Sequence, residues 1–320
     1  MRRLVAAVLS VLLPAALLAG CLGGESDPWD GQRPETLTIA TGGTSGIYHG
    51  YGRALADVLS SRYGIEVEVL TTGGSVDNLH LLADGTADVA FSAADAVADA
   101  VDGVGDFAEP VEVQALARVY DDFAHLVVPA DSEVEEIADL RGLRVSVGAA
   151  RSGTSLIAGR VLAAAELPMD ELRVAELGIT ESIDALAGGS LDALFWSGGL
   201  RTPGLVGLSE EMPVRLIPLV EVVDELRQEY GHGYRHGVVP EGVYGLADNV
   251  ATLAVPNILV AGPDLPEGVA HGLLHTLFDA RGEITSTVPS AALLDRSRAI
   301  YTEPADLQVG ALRYYREVKP

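Results

Sequence analysis

Thiols and ammonium groups are nearly missing from this sequence. The 320 residues include one cysteine, Cys21, and one lysine, Lys319. No disulfide can close within the chain, and almost all of its positive charge sits on arginine. Positive charge is itself scarce: 21 Lys and Arg stand against 46 Asp and Glu, a net charge of −25. A surface that acidic repels nucleic acid and anionic lipid, and nucleic acid drops out as a partner. It also repels anionic ligands at long range, so any anion site must work through local donors. The apolar run at the N-terminus, Leu4 to Leu18, is shorter than the roughly 20 residues a membrane-spanning helix needs.

What is present points to a folded, two-lobed, exported protein. A hydrophobic fraction of 48% is ordinary for a globular chain, and the length suffices for two cores. Arg2 and Arg3, the apolar run and Leu18-Ala19-Gly20-Cys21 together match a bacterial lipoprotein signal. Residues 1–20 are then removed, and Cys21 becomes the lipid-modified first residue. Residues 21–35, rich in Gly, Pro, Ser and acids, read as a flexible tether. The expected location is extracytoplasmic, on the outer face of the cytoplasmic membrane and held by lipid on Cys21, or else periplasmic.

Alternation and helical spacing give the order β-α-β-α-β from Leu37 onward, which implies a parallel, doubly wound sheet. Ligands of such sheets bind at the carboxyl ends of the strands. Two loops fall there. The first holds Thr44, Ser45, Gly46 and Tyr48. The second, Gly73-Gly74-Ser75, leads into a helix with Ser75 read as its N-cap and Asn78 in its first turn. Glycine N–H groups, hydroxyls and a helix N-terminus around one point suit a carboxylate or other small anion. Val113–Tyr120 and Ala124–Pro129 read as two separate strands. A third loop, with Ser152, Gly153 and Thr154, then opens another helix. Leu186-Ala-Gly-Gly-Ser-Leu-Asp-Ala-Leu-Phe195 echoes Leu82-Ala-Asp-Gly-Thr-Ala-Asp-Val-Ala-Phe91 at an offset of 104, and Ser152-Gly153 echoes Ser45-Gly46 at 107. Near-equal offsets suggest two lobes of one plan. The expected architecture is α/β, with lobe one at 36–126 and 253–320, lobe two at 127–252, and hinge segments near 120–129 and 250–258.

In order and spacing these motifs resemble the TAXI receptors of TRAP (tripartite ATP-independent periplasmic) transporters. The residues that carry the likeness are Ala40–Tyr48, Thr72–Leu79, Leu82–Asp88, Asp139–Gly142, Val145–Gly148 with Ser152–Thr154, and Leu191–Ala193. The resemblance spans about 36–318. It implies a type II periplasmic-binding-protein fold and delivery of a small organic anion or amino acid, glutamate- or dicarboxylate-like, to an ion-gradient-driven permease. It also implies one jaw made by Thr44, Ser45, Gly46 and Tyr48 with Ser75 and Asn78 beside them. Ser152, Gly153 and Thr154 would face it, with Trp196, Ser197 and Gly198 as the wall. The sequence departs from the family at Gln308-Val-Gly-Ala311, where His-Pro-Gly-Ala is usual, and at His49, where an aromatic is common.

Other chemistry finds less support. His232/His236 and His271/His275 have i, i+4 spacing, but neither first His is followed by the Glu of a zinc protease. They read as surface or capping residues, with no metal and no cofactor expected. Ser45 does not sit in G-x-S-x-G, so no enzyme is expected. Asp88 and Asp192 read as turn-fixing residues, while Arg118 and Arg151 are the arginines nearest the expected cleft. A monomer is expected. The alternatives are a sensing module for a membrane kinase and the binding protein of an ATP-driven importer.

Overall fold

The computed structural model describes residues 27–319 apart from 232. The expected signal peptide, Cys21 and the start of the tether lie outside the described residues. The first half is β1 (Thr36–Ala40), α1 (Ile47–Tyr63), β2 (Glu66–Leu70), α2 (Ser75–Ala83), β3 (Val89–Ala93), α3 (Ala94–Asp102) and β4 (Gln114–Pro129). Next come β5 (Arg144–Ser146), α4 (Gly153–Ala164), β6 (Arg173–Ala175), α5 (Ile179–Ala187), β7 (Ala193–Gly198), α6 (Pro203–Glu211) and β8 (Val214–Ile217). The chain closes with α7 (Val223–Tyr230), β9 (Arg235–Val239), β10 (Val250–Ala261), α8 (Glu267–Asp279), α9 (Arg281–Thr287), α10 (Arg296–Ala299) and α11 (Val309–Glu317).

The strands run in the order β2-β1-β3-β10-β4-β7-β5-β6, with β8 beside β4 and β9 beside β10. β2-β1-β3 and β7-β5-β6 are parallel triplets, one per lobe. Between them β10 and β4 run antiparallel to each other. Both strands serve both lobes. β4 pairs with β10 along its first part and with β7 and β8 along its second. β10 pairs with β9 at its start and β3 at its end. The two strands expected over 113–129 are thus one 16-residue strand. No glycine or proline interrupts Tyr120-Asp-Asp-Phe-Ala124, and its backbone finds partners on both lobes, so pairing overrides the two acids' poor strand propensity.

Three apolar clusters pack on this sheet among the described residues, one of them, with Ile179, Leu194, Leu205 and Leu216, confined to lobe two. A second packs Leu55, Leu59, Leu273, Leu277 and Tyr314, from α1, α8 and α11, on lobe one. The third is continuous from Leu79 and Val97 of lobe one to Ile157, Val161 and Leu226 of lobe two. Helix ends are placed by local chemistry: in α1 the buried stripe Tyr51, Leu55, Val58, Leu59 stops at Gly64, whose φ of 69° lets its N–H reach Ser60 O.

Part of the segment expected to be a flexible tether, from Asp27 onward, is instead folded. From Asp27 the chain is packed on lobe one, with Trp29 1% exposed and its ring edge-on to Tyr63 at 5.2 Å. Gly268 and Gly272 of α8 leave the space it fills, since a Cβ at either would run into Trp29 or Gln32. Asp27 accepts from the N–H groups of Trp29 and Gly31, and Gln32 Oε1 accepts from Gly268 N. Trp29→Ala is expected to cost about 3–5 kcal/mol in urea unfolding. A loss below about 0.5 kcal/mol would return this segment to the tether.

Candidate functional site

An interlobe cavity of about 100 Å³ opens at the carboxyl ends of the parallel strands. One water needs roughly 10–15 Å³ on that measure, so the space suits a small solute. Four helices begin on its wall, at Gly46 (α1), Gly74 (α2), Ser152 (α4) and Gly178 (α5). Their free N–H groups and dipoles make the cavity locally positive without a cation. Among the described residues no Arg, Lys or His is on the wall, and its single carboxylate is Asp122.

Each jaw is held by bonds that the loop sequences dictate. Gly74 adopts φ 126°, which leaves its N–H donating to Thr72 Oγ1 at 3.1 Å and makes it the cap of α2. Ser75 is therefore the first helical residue and not the cap, as the sequence suggested. Its Oγ accepts from Ala93 N at 3.1 Å and lies 3.3 Å from the Tyr48 hydroxyl. Tyr48 also donates to Asn257 Oδ1 on β10, which ties this jaw to the hinge. Opposite, Ser152 caps α4 by accepting from Ser155 N at 3.0 Å, and Thr154 Oγ1 accepts from Ser197 N at 3.1 Å. Trp196 donates its indole N–H to Thr202 Oγ1 at 3.0 Å, with its ring lying beside Gly198.

Of the residues singled out in the sequence, Gly46, Tyr48, Ser75, Ser152, Gly153, Thr154, Trp196, Ser197 and Gly198 face the cavity together. Three do not. Thr44 is exposed at the mouth. Ser45 spans the mouth, its Oγ 2.7 Å from Thr180 Oγ1. Asn78 is fully buried behind the wall: its amide donates to Thr41 O and Phe91 O, and its Oδ1 accepts from Thr72 O–H. It braces the jaw and has no donor left for a solute. Arg118 grips Asp121 with three bonds, and Arg151 pairs with Asp77 at the rim; neither is on the wall. Away from the cleft, the ring nitrogens of His271 lie 2.7 Å from Pro28 O and 2.8 Å from Glu317. His275 stands 3.2 Å from Asp279 and His236 3.2 Å from Asp224, while His232 lies outside the described residues. Asp88 accepts from Thr38 N, and Asp192 binds Arg144 through both its N–H and its guanidinium.

The jaws are closed on one another. Asp77 N donates to Arg151 O across the cleft, and Arg160 of α4 bonds Asp99 of α3 at 2.6 Å while stacking on Tyr230. Burial alone would lower the Arg160 pKa, but Tyr234, Asp95 and Asp99 around it raise it. Glycine makes the approach possible: a Cβ on Gly153 would lie 2.7 Å from Ser75 Oγ, and one on Gly73 2.9 Å from Ala150 O.

Sequence reasoning missed Tyr120 and Asp122. Both lie on the cavity-facing side of β4, two residues apart, as strand alternation requires. Two adjacent acids inside an apolar strand were the available signal. Asp122 is 5% exposed, and among the described residues its Oδ1 has no partner; neither do Ser197 Oγ nor Asn257 Nδ2. Burial pushes its pKa up to about 7. Asn257 and Ser197 offset part of that from nearby, without meeting hydrogen-bond geometry, while Asp121 and Asp95 add to it. His125, also buried on β4, is pulled down to about 4 by burial.

Two outcomes follow. Gly153→Val is expected to hold the lobes apart and weaken solute binding at least about tenfold, read as a larger radius of gyration in small-angle scattering with solute present. For Asp122 the folded pKa lies above the unfolded one, so its contribution favours the fold in acid and is lost as pH rises from about 4 to about 7. Relative to wild type, Asp122→Asn should gain stability over that range by a few kcal/mol, at about 1.4 kcal/mol per unit, and level off above it. A pH-independent difference in melting would refute the assignment.

Set beside known structures, the fold matches a binding-protein component of an ABC phosphonate transporter from Pseudomonas aeruginosa. The TM-score is 0.56 at 13% identity, over 80% of this chain and 79% of that one. PhnD1 from Prochlorococcus marinus, in complex with methylphosphonate, matches at TM-score 0.55 and 13% identity, over 89% and 96%. A protein from Bordetella bronchiseptica matches at 0.52 and 18%, over 90% and 91%. These likenesses give the fold as that of the type II periplasmic binding proteins: two α/β lobes on a two-strand hinge. Residues 39–318 match a family described as NMT1-like, where the sequence motifs had pointed more narrowly to TAXI receptors. Because that match runs from β1 into α11, the chain belongs to the NMT1-like family.

Proposed function

We propose that this protein is an extracytoplasmic solute-binding receptor, anchored by lipid on Cys21, that closes on a small organic anion or amino acid and hands it to a membrane importer. One observation carries this reading. Four helix N-termini from two hinged lobes converge on one closed cavity whose wall, among the described residues, has no cation. Hydroxyls at Ser75, Ser152 and Thr154 add donors, while Tyr48, Tyr120 and Trp196 add flat apolar faces. Lobe one is assigned to 36–126 and 253–320 and lobe two to 127–252, so that β4 and β10 carry the closing motion.

Two observations bear on the importer. The TAXI-like motifs support a TRAP permease driven by an ion gradient. The Pseudomonas protein's description as part of an ABC phosphonate transporter supports an ATP-driven partner. Labelled-solute uptake that collapses with the gradient while ATP is intact selects the first, and uptake that survives selects the second.

Thermal unfolding of residues 26–320 against amino acids, mono- and dicarboxylates, phosphonates and sulfonates tests the receptor itself. A solute at 100 times its Kd should add about 2.7 kcal/mol of stability. The shift should vanish in Thr154→Val and be accompanied by a change in fluorescence of Trp196, since Trp29 lies outside the cavity. If no member of the panel binds and the denatured protein releases no small molecule to mass spectrometry, the reading falls. Cys21→Ser should move the protein from the membrane to the soluble fraction, and membrane retention would remove the lipid anchor.

A further inference from the structure

We infer that the solute carries an ammonium group beside its acid, and that Asp122 is the residue that receives it. This rests on the receptor reading and narrows the solute to a small zwitterion such as an amino acid.

The cavity wall carries two kinds of group. Helix starts at Gly46, Gly74, Ser152 and Gly178 present N–H donors, which suit a carboxylate. On the same wall is Asp122, nine-tenths buried, with Oδ1 free of any partner among the described residues. An acceptor left that way is costly unless something donates to it. Among the described residues there is no cation to meet it: Arg118 faces Asp121 and no basic side chain lines the cavity. Ser197 Oγ and Asn257 Nδ2 are likewise unpartnered and near Asp122, while Asn257 Oδ1 is held by Tyr48. A dicarboxylate would place a second negative charge against Asp122 in a low dielectric. An ammonium would convert the same carboxylate from a liability into an anchor.

Asp122 also lies on β4, beside Val255 of β10 in the hinge pairing. A group that docks there ties the solute to the strands that both lobes share, and its acid end to the helix starts of both. The groups acting on Asp122 from surrounding elements are Asp121 and Tyr120 on β4, Asp95 on α3 and Tyr48 on α1, none of them cationic. Because Asp122 in the solute-free protein titrates near neutrality, an ammonium that docks on it should displace a proton.

Matched pairs test this by isothermal titration at pH 7: L-leucine with 4-methylpentanoate, L-glutamate with glutarate, and methylphosphonate as an anion alone. The amino acid of at least one pair should bind roughly 10- to 150-fold more tightly than its deamino partner, with Asp122→Asn erasing the gap. In wild type the binding heat should vary with buffer ionisation enthalpy in the sense of proton release, a readout that needs no variant. If a deamino acid or methylphosphonate binds as tightly as the amino acids and Asp122→Asn keeps that affinity, the ammonium assignment is overturned while the receptor stands. If neither class binds and nothing co-purifies, the receptor reading fails and takes this inference with it.

Discussion

Neither lobe owns the antiparallel pair of β4 and β10, and the rest of the molecule hangs on it. β4 spends its backbone on β10, β7 and β8 in turn, and β10 spends its own on β9, β4 and β3. Each parallel triplet is therefore hydrogen-bonded to a strand that continues into the other lobe. Separating the lobes would break a ladder and not merely a contact surface. Such a pair lets the lobes move by bending and twisting, and its register shifts at Asn257/Ile258, at the hinge, and again at Leu259/Val260, inside lobe one. Asn257, which holds Tyr48, sits at the first of these irregularities. The hinge and the wall of the site are in this sense one object.

Net charge and site chemistry pull in opposite directions, and locality reconciles them. A chain with 25 excess negative charges offers an anion an unfavourable field at a distance. Within a closed cavity, helix starts a few ångströms away act through a low dielectric and outweigh screened surface charge. Backbone donors have a further merit here: they are fixed by the fold and need no side-chain entropy to hold in place.

Closure is made from small increments. The Ser45–Thr180 and Asp77–Arg151 contacts at the rim are exposed, and such contacts are worth about 1 kcal/mol or less each. Arg160 is different, being enclosed by Asp95, Asp99, Tyr230 and Tyr234. Its charge is compensated only when α3 and α4 are together, which makes it a register pin for the closed arrangement. Increments of this size leave closure open to bias by a solute that touches both jaws.

Local pattern alone settled much of this protein. Periodicity marked the strands and helices, glycine and hydroxyl clusters marked the loops at the strand ends, and paired echoes of those loops marked two lobes. These features are written in residues a few positions apart, where backbone geometry and propensity decide. The sequence could not reveal what depends on residues far apart. Asn78 carries the right chemistry for a solute, yet the carbonyls of Thr41 and Phe91 claim it. Thr44 and Ser45 are in the right loop but on its outer edge. Asp122 looked like part of a loop between two strands, until pairing with both lobes made it the centre of one. Burial and partnership are properties of juxtaposed elements, so only the tertiary structure could decide which polar groups are spent on the fold and which remain for a solute.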